Sequence, residues 1–254
     1  MNTVLARIVA ASALVLGLPQ LAVAAPVELL TNGNFEAGSL AGWTVSNGTS
    51  VFGNWYADAP GSTTPETGQT TSATGGRPHG RTYAVTDQGG SGAHALLQSF
   101  TVAPGSTNVI LSFDLFANDQ SGKGPLCDLG FIYTGGPVQC ARVDILSAGA
   151  DDFDFGAGVL ANYYLGVDAG ENPHPFTSYS FDISALVAGG GTFKLRFGET
   201  DNQLFLNMGV DNVSILAGAI PEPSTFALTA LALAGLGFAA CRKTRPQLCY
   251  DAAA

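Results

Sequence analysis

Charged residues are scarce in this sequence. They make up 12% of its 254 residues, against about a quarter in an average globular domain. Only 10 residues are lysine or arginine, while 20 are aspartate or glutamate, and the net charge is −10. A phosphate backbone needs a basic footprint on its partner, so this balance excludes nucleic acid. The low charge content also excludes coiled coils and charge-rich disordered tails.

The motifs of common enzymes are missing as well. Residues 89–93 (GGSGA) lack the last glycine of G-x-S-x-G, and neither H-E-x-x-H nor a P-loop pattern occurs. Three histidines, at 79, 94 and 174, offer few general bases and stand at no zinc-ligand spacing with the cysteines. Acidic residues are plentiful, so a carboxylate pair that hydrolyses polysaccharide is the enzymatic alternative. The sequence otherwise favours a non-enzymatic protein.

The amino end carries a short apolar run behind a single positive charge. Residues 8–18 are apolar, Arg7 precedes them, and Ala22 and Ala24 fit the small-x-small rule for signal-peptide cleavage. Cleavage after Ala24 makes residues 1–24 a signal peptide with a helical apolar core. The alternative is an uncleaved membrane anchor, but a run of 11 residues is short for a span that needs about 20.

A second apolar run lies near the carboxyl end. Residues 226–241 carry no charge, and a basic cluster follows at 242–245. As a helix this run is about 24 Å long, slightly short of the roughly 30 Å hydrocarbon core of a membrane. The basic cluster is expected on the cytoplasmic side, which places the upstream chain outside. The sequence therefore predicts a single transmembrane helix, with a buried core helix as the alternative.

Together, these C-terminal features resemble the PEP-CTERM sorting signal of Gram-negative bacteria, also known as the ice-binding protein C-terminal domain. They are the motif Pro221-Glu222-Pro223-Ser224, the apolar helix, and the basic residues Arg242, Lys243 and Arg245. The resemblance covers 219–245 and implies processing by a membrane-embedded exosortase. It also implies export through the inner membrane, transient anchoring through the C-terminal helix, and delivery to the cell surface or extracellular matrix, usually in bacteria that make exopolysaccharide. Residues 246–254 form a short tail past the usual basic end.

Between the two signals, residues 25–218 show the pattern of strands. Val109, Leu111, Phe113 and Leu115 alternate with other residues, which is the period of a half-buried strand. About ten runs of this kind, separated by turn-forming clusters, predict an all-β antiparallel sandwich or barrel. The stretch 61–80 has almost no large apolar residue and is predicted to be a long exposed loop.

This central region is more acidic than the whole chain. Six basic residues stand against 18 acidic ones between the signals. Such a charge disfavours anionic polymers as ligands and favours cations such as Ca²⁺. Two local acidic clusters, at 151–156 and 199–202, are candidate Ca²⁺ ligands, with solvated loops as the alternative.

The two ends of the central region resemble the galactose-binding-like jelly rolls of carbohydrate-binding modules. Residues 30–36 (LTNGNFE), followed by Trp43, look like the opening of such a domain, and residues 208–215 (MGVDNVSI) look like its last strand. The resemblance implies an antiparallel jelly-roll β-sandwich whose first and last strands pair, with Trp43 in the core. It brings Glu36 near Asp211 and implies a structural Ca²⁺ held by these carboxylates and backbone carbonyls. The alternative is that both side chains only hydrogen-bond turn backbones.

The four cysteines form two pairs. Cys127 and Cys140 are separated by 12 turn-rich residues, and an exported location predicts a disulfide between them, with two independent thiols as the alternative. Closing a loop of that size contributes about 3 kcal/mol. Cys241 and Cys249 lie in or after the sorting signal and are assigned no role.

Two pairs of adjacent aromatic residues are the candidate glycan-binding groups. Trp55-Tyr56 and Tyr163-Tyr164 stand on predicted strands, where neighbouring side chains point to opposite faces. One ring of each pair is therefore expected to face outward, where it can stack on a sugar. The alternative is that both pairs pack in loops or in the core.

Export, acidity and the missing enzymatic motifs favour one class of function. They predict an exported envelope protein, sorted by a PEP-CTERM signal, that is a structural or glycan-associating component of the extracellular matrix. An envelope polysaccharide hydrolase with a carboxylate pair is the alternative, and a passive matrix filler is a third. Extracellular polysaccharide is the expected ligand of the structural or glycan-associating protein.

Overall fold

A computed structural model describes residues 25–49, 52–60, 63–68 and 80–218 of this chain. Within these residues there are eleven strands and one short helix. The elements are β1 (Val27–Glu28), β2 (Thr44–Asn47), β3 (Asn54–Asp58), β4 (Tyr83–Asp87), β5 (Gly92–Val102), β6 (Thr107–Asp119), β7 (Gln139–Ser147), β8 (Val159–Gly166), β9 (Thr177–Asp182), α1 (Ser184–Val187), β10 (Gly191–Asp201) and β11 (Leu206–Gly218).

The strands form two antiparallel sheets. The six-stranded sheet has the order β3-β4-β11-β6-β9, and β1 also pairs with β11. The five-stranded sheet has the order β2-β5-β10-β7-β8. This arrangement confirms the prediction of an all-β antiparallel sandwich.

Alternation along β10 shows why these segments form strands. Phe193, Leu195 and Phe197 face the other sheet and join the main core, whereas the intervening Lys194 and Arg196 lie on the outer face. Trp43 lies in the same core, 5.9 Å from Phe197 between ring centroids, as predicted. Each large side chain buried in this way contributes about 1.5–3 kcal/mol, so the core stabilises the sandwich.

The first and last strands pair, as the jelly-roll resemblance implies. Val27 lies opposite Ala217 in the antiparallel register of β1 and β11. Further along, the Val213 amide donates to the Gly33 carbonyl at 2.9 Å. A Cβ at residue 33 would lie 1.9 Å from the Val213 carbonyl oxygen, so this close approach requires glycine.

A buried ionic network lies on the outer face of the five-stranded sheet, beneath the β7–β8 loop. Asp144 is fully buried and accepts hydrogen bonds from the guanidinium groups of Arg142 and Arg196. Arg196 also donates to the carbonyls of Asp152 and Asp154, and its guanidinium lies 4.6 Å from the Phe131 ring centroid. The network therefore attaches the β7–β8 loop to the sheet.

The predicted long loop at 61–80 is described only for residues 63–68. These residues are mostly exposed, but Thr64 is buried. The Asp87 carboxylate accepts hydrogen bonds from the amides of Glu66 and Thr67 and from the Thr67 hydroxyl. Because a buried carboxylate needs donors, this part of the loop is anchored to β4.

The predicted signal helix in 1–24 and transmembrane helix over 226–241 lie outside the described residues. Among the residues that are described, no helix is long and apolar enough to cross a membrane. The strands all fall within one compact unit, Ala25–Ile220.

Candidate functional site

Four connections between strands meet at one end of the sandwich and enclose a cleft, here named the end cleft. They are the β2–β3, β4–β5, β6–β7 and β10–β11 connections. The end cleft has two compartments that share the wall formed by Gly89, Gly90 and Ser91. The aromatic compartment, of about 610 Å³, is further lined by Thr49, Phe52, Ile132, Tyr133 and Thr134. The polar compartment, of about 220 Å³, is further lined by Asp201, Asn202, Gln203, Leu204 and Phe205.

The aromatic compartment exposes large apolar side chains to solvent. Phe52 is 67% exposed and Ile132 is 46% exposed. Gly53 has a φ of 118°, and a Cβ there would lie 2.4 Å from the Asp87 carbonyl oxygen, so glycine lets residue 52 approach the cleft wall. The Tyr133 hydroxyl donates to the Thr49 carbonyl across the compartment. Apolar rings beside polar groups suit one face of a sugar.

The polar compartment has a carboxylate at its floor. Oδ1 of Asp201 accepts from the Gln203 amide at 2.9 Å, and Oδ2 accepts from the Gln88 side-chain amide at 3.2 Å. Desolvation by burial raises the pKa of Asp201 to about 6, although these hydrogen bonds oppose the rise. Lys123 lies at the rim, where its Nζ donates to Oε1 of Gln203 at 2.8 Å. The floor is therefore negatively charged above pH 6.

Asn202 joins the two compartments. Its side-chain amide donates to the carbonyls of Tyr133 and Gly136, at 3.0 and 2.7 Å. Its Oδ1 accepts from the Val138 amide at 2.9 Å. One side chain thereby holds the β10–β11 turn against the β6–β7 loop, so the positions of Tyr133 and Asp201 are coupled.

The predicted disulfide closes the base of the same loop. Cys127 and Cys140 are bonded, with an S–S distance of 2.03 Å, so the alternative of two independent thiols is wrong. Beside the bond, Leu126 and Gln139 form an isolated antiparallel bridge. The cross-link limits the freedom of the loop that carries Ile132 and Tyr133.

A second carboxylate lies behind the floor. Glu199 is fully buried on the same face of β10 as Asp201, and directly opposite His94 of β5 in the strand register. Desolvation raises the pKa of Glu199 well above its usual range, and the charges of Asp201 and Asp87 add to the rise. Desolvation lowers the pKa of His94 to about 4. The acidic cluster at 199–202 is thus not a solvated loop, because β10 continues to Asp201 with that face turned inward.

Trp55 and Tyr56 point to opposite faces of β3, as the alternation predicts. Trp55 is 2% exposed and belongs to the core between the sheets. Tyr56 packs on the outer face of the six-stranded sheet against Tyr83 and Phe116, and its hydroxyl donates to Glu66. The end cleft is lined by other residues, and sugar binding by this pair stays a prediction.

Tyr163 and Tyr164 do not alternate, and here the expectation is wrong. Tyr164 lies opposite Val143 and Asn162 lies opposite Asp144, so Tyr163 is the extra residue of a β-bulge. Both rings pack against the core. Their centroids lie 4.9 Å from Phe181 and 5.8 Å from Tyr179, respectively. Sugar binding by these two residues also stays a prediction.

Glu36 and Asp211, the predicted Ca²⁺ ligands, both accept backbone hydrogen bonds. Oε1 of Glu36 accepts from the amides of Arg81 and Thr82, and Oδ1 of Asp211 accepts from the amide of Asn212. These hydrogen bonds are the ones expected under the alternative, in which both carboxylates only hydrogen-bond turn backbones. Among the described residues, no three His, Cys, Asp or Glu side chains are arranged to hold a metal ion. The Ca²⁺ site stays a prediction.

Sequence reasoning missed Phe52, Tyr133 and Asp201 as the residues of one cleft. Their connections lie far apart along the chain, and only the pairing of the strands brings them together. The available signals were the glycine-rich run at 89–92 and the acidic cluster at 199–202. Neither indicates a cleft without the fold.

Solved structures with a similar chain path include a carbohydrate-binding module, a tailspike domain and an adhesin domain. One is the carbohydrate-binding module TmCBM61 in complex with beta-1,4-galactotriose, with 10% identity, a TM-score of 0.45, and coverage of 74% of this chain and 97% of that one. Another is the enzymatically active domain of tailspike protein 4 from bacteriophage CBA120, with 12% identity, a TM-score of 0.42, and coverage of 76% and 21%. A third is a cleaved adhesin domain of Lys-gingipain from Porphyromonas gingivalis, with 14% identity, a TM-score of 0.41, and coverage of 74% and 96%.

The carboxyl end of the chain matches a known sequence motif. No curated protein matches the chain. Residues 219–243, which lie outside the described part, match the PEP-CTERM protein-sorting motif, so the resemblance found in the sequence is confirmed. This motif implies an exported protein that is transiently anchored in the membrane and processed by exosortase.

Proposed function

We propose that this exported protein binds glycan in the end cleft and acts as a non-enzymatic component of the cell surface or extracellular matrix. The observation that carries the proposal is the pairing of an exposed ring with buried polar groups across one glycine-rich wall. Phe52 lies on one side of Gly90, and Asp201 lies on the other. Sugars present both an apolar face and hydroxyls, and this cleft offers a complement to each.

The size and shape of the end cleft support a short oligosaccharide. The aromatic compartment, of about 610 Å³, falls within the range of small-molecule sites. The polar compartment continues it past Ser91, with a further 220 Å³. One sugar unit can stack on Phe52 while the next donates hydroxyls toward Asp201.

The test is glycan binding by the full-length protein and its cleft variants. A panel of neutral and charged oligosaccharides is screened first, and affinities are then measured by calorimetry. Phe52→Ala is expected to weaken binding by about tenfold, since stacking of a sugar on a ring is worth roughly 1–2 kcal/mol. Leu216→Ala, which removes another exposed apolar side chain from the last strand, is the matched control. Binding that is unaffected by Phe52→Ala, or absent from the whole panel, contradicts the proposal.

The hydrolase alternative has one observation in its favour. Asp201 lies in a cleft, and its pKa of about 6 suits a general acid. A glycosidase, however, needs a second carboxylate that reaches the sugar, and the nearby Glu199 and Asp87 are fully buried. The geometry therefore favours binding. Turnover of any oligosaccharide in the panel that is lost in Asp201→Asn would instead favour the enzyme.

A further inference from the structure

The last strand carries the chain from the end cleft to the opposite end of the sandwich. β11 begins at Leu206, next to the polar compartment, and ends at Gly218. Its 13 residues span about 40 Å. The match to the sorting motif begins at residue 219, directly after this strand. Val27, close behind the predicted cleavage site at Ala24, lies opposite Ala217. Both junctions with the signal segments therefore lie at the end of the domain that is remote from the cleft.

Two turns surround the carboxyl end of β11. Gly218 lies opposite Thr107 at the start of β6. The Gly105 amide donates to the Ala188 carbonyl at 3.3 Å, which joins the β5–β6 turn to the residues that follow α1. The surface formed in this way is here named the terminal pole. It consists of the segments 25–27, 101–109, 183–192 and 215–218.

The segments of the terminal pole contain no aspartate, glutamate, lysine, arginine or histidine. They belong to a domain in which six basic residues stand against 18 acidic ones. The nearest charged residues in these stretches of chain are Glu28 and Asp182, and both accept backbone hydrogen bonds. At the other end of the sandwich, Asp119 and Asp201 end β6 and β10. The acidity of the domain is therefore placed away from the pole where the chain leaves it.

The acidic β7–β8 loop starts at the same end but turns away from the terminal pole. Lys194 forms an ion pair with Asp152. Arg196 donates to the carbonyls of Asp152 and Asp154. These contacts fold the loop back over the outer face of the five-stranded sheet, where Phe153 reaches Phe131 of the β6–β7 loop.

Exposed apolar side chains stand beside the chain exit. Val27 is 54% exposed and Leu216 is 40% exposed, on two strands that pair with each other. The turns around them expose Ala103, Ala185 and Ala188. An uncharged surface with apolar side chains can approach anionic lipid headgroups without electrostatic repulsion, which an acidic surface cannot.

From the position of the junctions and this distribution of charge, we propose that the terminal pole contacts the phospholipid headgroups of the membrane while the sorting signal anchors the chain. The apolar run that begins at Phe226 is eight residues beyond Gly218, a distance of at most about 29 Å. This tether keeps the domain at the membrane, and repulsion of its acidic faces leaves the terminal pole as the surface of contact. The end cleft then opens away from the membrane. The inference goes beyond the proposed glycan binding and does not depend on it.

Fluorescence quenching by lipid headgroups tests the inference. The full-length protein is reconstituted into vesicles of phosphatidylethanolamine and phosphatidylglycerol that contain a lipid with a quencher on its headgroup. Cys241→Ala and Cys249→Ala remove the cysteines outside the disulfide. A fluorophore is attached at Ala188→Cys on the terminal pole, or at Ser91→Cys, a matched exposed position at the cleft end. The label at residue 188 is expected to be quenched several-fold more strongly. Equal quenching, or stronger quenching at residue 91, overturns the inference.

Charge substitutions distinguish a contact of the pole from tethering alone. Ala103→Glu combined with Ala185→Glu should weaken the contact on these anionic vesicles by about 25-fold, or about fivefold for each carboxylate. Ala103→Lys combined with Ala185→Lys should strengthen it. Neither pair should change the quenching at residue 188 on vesicles of phosphatidylcholine, which carry no net charge. Quenching that neither pair changes on anionic vesicles, or that both pairs change equally on both kinds of vesicle, contradicts the proposed contact.

Discussion

Replacing Asp201 by asparagine is expected to stabilise the protein at alkaline pH and to destabilise it slightly in acid. The carboxylate is 2% exposed, and desolvation raises its pKa from 3.8 to about 6. A pKa that is higher in the folded than in the unfolded state means that ionisation disfavours folding. The native state therefore has its full stability below about pH 4 and loses stability as the pH rises through 6.

The magnitude follows from the size of this change in pKa. A rise from 3.8 to about 6 corresponds to a penalty of about 3 kcal/mol at pH 8. Asparagine removes the charge but weakens the hydrogen bonds from Gln88 and Gln203, which costs about 1–2 kcal/mol. The net gain in the free energy of unfolding is about 1–2 kcal/mol at pH 8. For a domain of this size, that gain raises the melting temperature by about 3–6 °C.

Thermal melts of both proteins between pH 4 and pH 8 measure the effect. The variant should be slightly less stable than the parent at pH 4, where only the weakened hydrogen bonds count. Its stability relative to the parent should rise between pH 5 and pH 7, in step with ionisation of Asp201. Asp182→Asn is the control of opposite sign, because hydrogen bonds from Ser184 lower the pKa of Asp182. A shift in melting temperature that is the same at pH 4 and pH 8, or a destabilised variant at pH 8, refutes the reasoning.

Three further predictions concern the disulfide, the Ca²⁺ site and the ionic network. Cys127→Ser should lower the free energy of unfolding by about 3 kcal/mol. Because Cys140 is buried, its freed thiol should become labelled only once the protein is denatured. An unchanged melting curve would contradict the prediction. If Glu36 holds Ca²⁺, EDTA should lower the melting temperature, and Glu36→Gln should remove this response. A melting temperature that EDTA does not change counts against the site. Arg196→Ala should lower the free energy of unfolding in urea by about 3–5 kcal/mol, because it leaves the buried carboxylate of Asp144 undercompensated. Lys194→Ala breaks a partly exposed ion pair with Asp152 and should lower it by about 1 kcal/mol or less. Equal losses in the two variants would refute this difference between a buried and a partly exposed ion pair.

Several structural elements follow from local sequence patterns. The alternation in β6 and β10 reports which residues face the core, because side chains on a strand point to opposite faces in turn. The resemblance of residues 30–36 and 208–215 to a jelly roll implied the pairing of the first and last strands, which β1 and β11 confirm. The disulfide was predictable from the exported location and the short spacing of its cysteines.

Elsewhere a local pattern was overridden by its context. Tyr163 and Tyr164 pack on the same side because a bulge inserts one residue into β8, and no residue type near them signals it. The cluster at 199–202 has the composition of a solvated loop, yet β10 carries Glu199 and Asp201 into the end of the sandwich. The energetic cost of burying these carboxylates is a property of the packed fold.

The sequence by itself determined the sorting motif, the strand-rich central domain, its acidity and its cross-link, since each depends on composition or on residues close along the chain. Only the tertiary structure decided the candidate site. The end cleft is formed by connections that are separated by up to about 150 residues, and it exists because antiparallel pairing brings those connections to one end of two packed sheets. The same packing removes water from Asp201 and Glu199, and desolvation is what raises the pKa of each.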